Sequence, residues 1–149
     1  MPAVARYVID AVTLLHLVAE DVQIDPEHQL VAPSTIRSQA LSLLLQAVAR
    51  GDLTEEVALL RHERLTTLKM RLLGDRVSLR VAWTIARERN WESIDDAEYV
   101  AVTRLQADAL VTVDPALAAK AESLVPLAPL EALAVVPGGH RLRGSGSGG

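Results

Sequence analysis

Short apolar runs alternate along this chain with longer segments in which apolar residues recur at helical spacing. The run at residues 5–9 is rich in strand-forming residues and is followed at once by Asp10. Runs at residues 30–32 and 109–113 are further strand candidates, and the second of them lacks the polar alternation of a half-exposed strand. The remaining spacing predicts six helices, at residues 11–20, 33–50, 54–67, 77–89, 93–106 and 115–122.

Residues that commonly cap helices stand at several of these predicted ends. Ser34 and Thr54 suit the N-cap positions of the second and third helices, because a side-chain oxygen there can accept from a free backbone amide. Gly51 suits the position after the second helix, and Asn90 closes the fourth. The second helix is apolar nearly all round at residues 40–48, so we expect it to be buried.

Two short segments have mixed patterns. Residues 69–73 mix apolar and basic side chains and favour neither a helix nor a strand. Residues 124–127 form a candidate edge strand, since Pro126 lacks the amide that a central strand needs.

Strands that alternate with helices favour right-handed crossovers and a mostly parallel sheet, so the pattern predicts an α/β fold. We expect one domain, residues 1–136. Residues 137–149 hold six of the eight glycines and few apolar side chains, so we expect this tail to be disordered. Its GSGSGG end resembles an added linker and is left out of the fold prediction.

The composition narrows the class of protein. A chain of 149 residues corresponds to one domain, and half of its residues are hydrophobic, although it has no Phe and only two Trp and two Tyr. The absence of cysteine excludes disulfides and thiolate ligands. No apolar run approaches the roughly 18 residues of a membrane span, and the N-terminus lacks a signal-peptide layout. We therefore expect a cytoplasmic protein with no membrane contact.

The net charge of −4 argues against a general nucleic-acid coat, but the charge is unevenly distributed. Residues 61–89 hold eight basic side chains against three acidic ones. This stretch is either a solvated helical face or a surface for a polyanion or an acidic partner. Its basic residues are Arg61, Arg64, Lys69, Arg71, Arg76, Arg80, Arg87 and Arg89.

Three aspartates stand where strands end or helices begin. Asp10 and Asp114 follow predicted strands, and Asp96 lies in the first turn of the fifth helix. In a parallel sheet, ligands bind beyond the carboxyl ends of the strands, so these side chains can converge on one cleft. Three converging carboxylates provide oxygen ligands of the kind that Mg²⁺ or Mn²⁺ prefers.

Each aspartate also has a simpler interpretation as a helix cap. Asp10 can cap the first helix, and Asp114 before Pro115 is a common N-cap pair. The spacing of Ser93 and Asp96 is similar to a capping box. Capping does not require the three to share one edge, so their joint placement favours a site. The four histidines lack metal-ligand spacing and are assigned no role.

Three segments together resemble the ordered motifs of PIN domains, above all the VapC-type toxins of type II toxin–antitoxin pairs. The similarity covers about residues 7–127, and its segments are YVIDAVTLL, LVAPSTIRSQALSLLLQAV and SIDDAEYVAVTRLQADALVTVDPAL. The resemblance implies a three-layer α/β/α sandwich with a small, mostly parallel sheet, and a Mg²⁺-dependent endoribonuclease. It also implies a homodimer and a cognate antitoxin that places a basic segment in the acidic cleft. The apolar helix around Trp83 adds modest support for the dimer.

Carried over residue by residue, the resemblance implies that Asp10, Asp96 and Asp114 are catalytic and bind Mg²⁺ (or Mn²⁺). Thr112 matches the family's hydroxyl residue two positions before the last acid. Gln39 stands where the family has a Glu. Neighbouring Asp95 and Glu98 leave a helix about 100° and 200° away from Asp96, so we expect neither to replace the missing carboxylate.

Gln39 leaves three functional hypotheses open. Its amide can accept a hydrogen bond but carries no charge, which weakens cation binding and removes a proton acceptor. Gln39 is a natural residue of a weak metal site, a residue of an enzymatically inactive relative, or the product of a Glu→Gln change made to reduce toxicity. We predict an endoribonuclease toxin in which the basic stretch guides RNA. The alternatives are a catalytically inactive PIN-like module that binds RNA or an antitoxin-like partner, and a plain structural subunit.

Overall fold

The computed structural model describes residues 5–135 and contains a four-stranded, all-parallel sheet. Its strands are β1 (Arg6–Ile9), β2 (Gln29–Pro33), β3 (Arg71–Leu73) and β4 (Ala109–Val111). Six helices flank the sheet: α1 (Ala11–Ala19), α2 (Ile36–Ala49), α3 (Glu55–Thr67), α4 (Arg76–Arg89), α5 (Ile94–Gln106) and α6 (Pro115–Ala121). A 3₁₀ turn follows at Leu130–Ala132.

The strands lie side by side in the order β3-β2-β1-β4, with Val8 of β1 paired to Val31 on one side and Leu110 on the other. Helix α5 packs against β1, β2 and β4, and α4 packs against α5. Helices α1, α2 and α3 pack on one another. The fold is a three-layer α/β/α sandwich, as predicted. Among the described residues, no helix is long and apolar enough to cross a bilayer.

The core is made of aliphatic side chains, as the lack of Phe requires. The central strands supply fully buried residues on both faces, such as Val8, Ile9 and Leu110. Helix α5 is unusually buried, with seven consecutive residues from Ala97 to Thr103 shielded from solvent. Burying each large aliphatic side chain contributes about 1.5–3 kcal/mol, so many small contacts replace a few aromatic ones. This packing fixes the first turn of α5 relative to the ends of β1 and β4.

The prediction that Ser34 caps α2 is wrong. Thr35 holds the N-cap position without a side-chain cap bond, and Ser34 instead donates its amide to the carbonyl of Leu73 at 2.7 Å. The Ser34 hydroxyl also occupies the space that a Cβ atom at Gly74 would need. Gly74 therefore permits the close approach of the chain segments that follow β2 and β3.

The expected burial of α2 is also wrong. Only Ile36, Ala40 and Leu44 of this helix are buried, whereas Leu45 is 70% exposed and Leu41 is 43% exposed. The helix packs against α1 and α3 through one face, and its opposite face meets solvent. The continuous apolar sequence identified the helix, but it did not show how many other elements pack against it.

The remaining predicted ends are close to those observed. Thr54 caps α3, Gly51 adopts a φ of +82° after α2, and Asn90 closes α4 in the left-handed region. The ambiguous residues 69–73 contain β3. Residues 124–127 do not form a strand, because only an isolated bridge joins Leu127 to β4. The tail predicted at 137–149 lies outside the described residues.

Candidate active site

The topology of the sheet indicates which of its edges is expected to hold a ligand-binding crevice. β1 and β4 are neighbours, but the chain leaves β1 towards β2 on one side and reaches β4 only after the other three strands. At such a reversal of strand order the connections diverge and leave a crevice beyond the carboxyl ends. Asp10 follows β1 directly, and Asp114 follows β4 after two intervening residues. These two aspartates therefore flank the crevice.

A cleft of about 340 Å³ occupies this edge. Its walls include four of the five predicted site residues, Asp10, Gln39, Asp96 and Asp114. The fifth, Thr112, is not part of the wall. The other wall residues are Ala11, Val12, Ser42, Leu43, Asp95 and Tyr99.

A larger cleft of about 960 Å³ lies at the opposite edge of the sheet. It is lined by residues at the strand starts, including Arg6, Gln29 and Arg71. We place the candidate site in the smaller cleft, because that edge holds the carboxyl ends of the strands and the converging acids.

Asp10 is 3% exposed and caps α1. Burial raises the pKa of its carboxyl group above the usual value, while hydrogen bonds from Thr13 and Thr112 act in the opposite direction. Thr13 donates its hydroxyl to Asp10 Oδ1, and the same hydroxyl accepts from the amide of Val113 at 3.0 Å. Thr13 thus connects the start of α1 to the segment after β4. The sequence places Thr13 beside Val12, which stands where the PIN-domain motif commonly has a small hydroxyl residue, but no site role was predicted for Thr13.

Asp114 caps the short helix α6. Its Oδ1 accepts from the amide of Ala116 at 3.0 Å, and its own amide donates to the hydroxyl of Thr112 at 3.0 Å. The capping interpretation therefore describes both Asp10 and Asp114, and each also faces the cleft. Thr112 lies outside the wall, where its hydroxyl accepts from the Asp114 amide, and it also lowers the pKa of the nearby Asp10 carboxyl group.

Asp96 is not a cap. Ser93 caps α5 by accepting from the amide of Asp95 at 3.1 Å, and Asp96 instead accepts from Lys120 Nζ at 2.8 Å. Lys120 also lies over the ring of Trp91, 4.4 Å from its centroid. The capping-box interpretation of Asp96 is therefore wrong, and a lysine from α6 supplies its counter-charge. Sequence reasoning missed Lys120, because no local spacing relates it to Asp96.

Gln39 is held by a neighbouring phenol. Tyr99 donates its hydroxyl to Gln39 Oε1 at 2.5 Å and accepts from the amide of Ala11 at 3.2 Å. The Gln39 amide nitrogen donates to Thr35 Oγ1 at 3.4 Å. Burial and the charge of Asp10 raise the pKa of Tyr99, so its hydroxyl stays protonated and remains a donor. This chain of bonds fixes α2 and α5 against the start of α1.

The two acids next to Asp96 differ in position. Asp95 is exposed and lies on the cleft wall, even though its side chain leaves α5 about 100° away from Asp96. Glu98 is 4% exposed, and burial together with the charge of Asp95 raises its pKa. Asp95 therefore adds a carboxylate to the wall, whereas Glu98 does not line the cleft.

The donor set suits a hard divalent cation in chemical type, since it consists of carboxylate and amide oxygens. Within residues 5–135, however, no three His, Cys, Asp or Glu side chains are gathered closely enough to hold an ion as they stand. Asp96 is engaged by Lys120, and Asp114 by the first turn of α6. Asp96, Lys120 and Asp114 therefore have to shift for a metal to be held.

No family model and no curated protein matches this chain. Among solved structures, the chain is similar to the crystal structure of PAE2754 from Pyrobaculum aerophilum, with a TM-score of 0.67. The two chains share a fold. Their sequences are 24% identical over 88% of this chain and 94% of PAE2754. At this identity the likeness supports the three-layer architecture alone.

Proposed function

We propose that this protein is a Mg²⁺-dependent (or Mn²⁺-dependent) endoribonuclease of the PIN-domain, VapC-like type, the toxin of a type II toxin–antitoxin pair. The observation that carries the proposal is the placement of Asp10, Gln39, Asp96 and Asp114 on the walls of one cleft. These residues are distant in sequence, and their meeting at the carboxyl edge of β1 and β4 is the arrangement that the resemblance implies.

In this proposal, Asp10, Asp96 and Asp114 hold the cation. When bound, the ion supplies Lewis-acid stabilisation of phosphoryl charge and lowers the pKa of a water molecule. Thr13 keeps Asp10 oriented through its hydrogen bonds. Thr13 and Thr112 also oppose the rise in the pKa of Asp10 that burial causes, which favours the charged form that binding requires. Tyr99 holds the Gln39 carbonyl in a fixed direction. Gln39 offers a neutral oxygen where a fourth carboxylate would add charge, so we expect weak cation affinity.

RNA cleavage in the presence of Mg²⁺ tests this proposal. Replacing Asp96 by Asn removes a charge without removing bulk, so cleavage should be lost while the melting temperature stays near that of the unchanged protein. The matched control is Asp108→Asn, at the opposite edge of the sheet beside Arg6. Cleavage that persists in the Asp96 variant would contradict the proposed role of this residue.

The second candidate function is a non-catalytic PIN-like module that binds RNA or an antitoxin-like partner. Two observations favour it: the position of the family's second acid holds Gln39, and Lys120 already neutralises Asp96. Comparing Gln39→Glu with the unchanged chain separates the candidates. Activity in the Glu form alone indicates an inactivated site, whereas no activity in either form favours a binding module.

The partners belong to the same proposal. A cognate antitoxin would present a basic side chain to the acidic cleft, competing with Lys120 for Asp96. The homodimer can be tested by sedimentation at micromolar concentration, where a monomer would count against it. Calorimetry with Mn²⁺ addresses the structural-subunit hypothesis, which predicts no heat of binding.

A further inference from the structure

The outward face of α4 combines arginines with an exposed aromatic ring. Arg76, Arg80, Trp83 and Arg87 are spaced by four, three and four residues, which places them on one side of the helix. All four are exposed, and Trp83 leaves 61% of its surface open to solvent. The other side of the helix carries its buried residues, Ser78, Ala82, Ile85 and Ala86. We call Arg76, Arg80, Trp83 and Arg87 the α4 stripe.

The arginines of the α4 stripe are not neutralised by ion pairs within residues 5–135. The ion pairs of that region join Lys120 to Asp96 and Arg50 to Asp52, and the imidazole of His28 lies 3.9 Å from the carboxylate of Asp25. Three guanidinium groups on one helix face therefore create a local positive potential in a protein whose net charge is −4. Such a face favours a polyanion, and guanidinium groups match phosphate oxygens in geometry.

Trp83 adds a feature that charge alone does not require. An exposed indole ring is a flat apolar surface on which an unpaired base can stack, and arginines beside it can follow the phosphate backbone. A second copy of this protein fits the face poorly. In a two-fold interface centred on the α4 stripe, three arginines would face three arginines, and like charges oppose association.

The α4 stripe leads towards the candidate site. Helix α4 connects to α5 through residues 90–93, and the two helices pack along each other. Arg87, in the last turn of α4, therefore lies at the same end of the helix pair as Asp96, in the first turn of α5. From Arg76 to Arg87 the stripe spans about 16 Å along the axis. A nucleic-acid strand along it would run towards the acidic cleft.

We propose that the α4 stripe binds single-stranded RNA, with a base stacked on Trp83 and phosphates contacted by Arg76, Arg80 and Arg87. The choice of RNA as the polymer rests on the proposed function. The mode of binding rests on the exposure, spacing and charge of the stripe. Because stacking is available to every base, the surface is tolerant of sequence.

The experiment measures binding of a fluorescein-labelled, single-stranded RNA of mixed sequence by anisotropy, with the full chain in EDTA so that no cleavage occurs. Trp83→Ala should weaken binding about 5- to 150-fold, the range found for loss of one base–aromatic stack, whereas Trp83→Tyr should retain most of the affinity. Arg80→Gln should lower the slope of log affinity against log salt by about 0.7. Tryptophan emission of a Trp91→Phe variant, which reports Trp83 alone, should be quenched by the RNA.

Matched controls lie elsewhere on the surface. Arg50→Gln removes the same charge from a residue paired with Asp52, and Leu45→Ala removes a side chain that is 70% exposed on α2. Both should bind RNA as the unchanged chain does. The substituted residues are exposed except for Trp91, which is partly buried, and a thermal melt of each variant verifies that it is folded.

Several results would overturn the inference. Binding that Trp83→Ala leaves unchanged would show that no base stacks on α4. Binding that Arg50→Gln weakens as much as Arg80→Gln does would show that the arginines of the α4 stripe are not the phosphate contacts. An acidic peptide that binds more tightly than RNA and needs Trp83 would assign the face to a protein partner. A dimer in sedimentation that Trp83→Ala converts to a monomer would assign it to a second copy.

These outcomes are separable from the proposed catalytic function. RNA that binds through the α4 stripe but is never cut in Mg²⁺ would support the stripe and contradict the nuclease. RNA that is cut at an undiminished rate by the Trp83→Ala variant, with unchanged affinity in EDTA, would support the nuclease and contradict the stripe.

Discussion

The ammonium group of Lys120 lies 2.8 Å from Oδ2 of Asp96, so the candidate site already contains a cation of its own. The ring of Trp91 lies under the same ammonium group. Both side chains of the ion pair are about one-third exposed. Such a pair contributes at most about 1 kcal/mol to stability, because water and salt screen it. It is therefore weak enough for a divalent ion to displace.

Removing this internal cation should strengthen metal binding. Lys120→Met should raise the affinity for Mn²⁺ about 5- to 30-fold, since repulsion between an ammonium group and a divalent ion a few ångströms apart is about 1–2 kcal/mol in a solvated site. Calorimetric titration with Mn²⁺ measures the change. Lys69→Met is the control, because it removes the same charge at the opposite edge of the sheet. An unchanged or lower affinity in the Lys120 variant would contradict competition.

Glu98 should make the fold less stable at neutral pH than a neutral side chain would. Burial raises the pKa of its carboxyl group above the usual 4.5, so the folded state binds this proton more tightly than the unfolded state. The contribution of Glu98 to stability is therefore complete below 4.5 and is lost as pH rises through the raised pKa. Glu98→Gln should be more stable than the unchanged chain at pH 7, and the difference should shrink below 4.5. Urea unfolding at several pH values measures this.

Asp75 should change the stability of the fold with a pH dependence opposite to that of Glu98. It caps α4 by accepting from the amide of Ser78 at 2.8 Å, and that bond lowers its pKa below the usual 3.8. Its contribution to stability is present above 3.8 and is lost as pH falls through the lowered pKa. Asp75→Asn should therefore lose stability at pH 7 relative to the unchanged chain and approach it in acid. The same pH series checks this, and a matching pH trend in the Asp75 and Glu98 variants would contradict the assignment.

Most of the acidic residues at the candidate site could be predicted, because each lies next to a strand or helix that the local sequence pattern identifies. Asp10 and Asp114 follow strands that hydrophobic runs identify, and Asp96 follows a recognisable helix start. The contacts that set the chemistry could not be predicted. Thr13 meets Val113 because β4 lies beside β1 in the sheet, and Lys120 meets Asp96 across 24 residues of sequence. The prediction that α2 is buried failed for a related reason, since the sequence of a helix does not show how many other elements pack against it.

The stability contributions of Tyr99 and Gln39 should be coupled through the hydrogen bond that joins their side chains. Tyr99→Phe leaves the Gln39 carbonyl and the Ala11 amide without this partner, which should cost about 1–3 kcal/mol in the free energy of unfolding. Gln39→Leu removes the same bond from the other side. The double variant should destabilise the fold by less than the sum of the two single changes, with a coupling of about 0.5–3 kcal/mol. Strict additivity in urea unfolding would mean that the bond contributes nothing.

We propose that Asp10, Asp96 and Asp114 bind one divalent ion in the cleft between the ends of β1 and β4. Anomalous diffraction from a crystal soaked in Mn²⁺ tests it most directly. We expect a single strong peak with carboxylate oxygens of Asp10, Asp96 and Asp114 about 2.0–2.3 Å away, and with Lys120 no longer bonded to Asp96. A cleft without a peak at saturating Mn²⁺, with the Lys120–Asp96 pair intact, would show that these carboxylates do not bind a divalent ion.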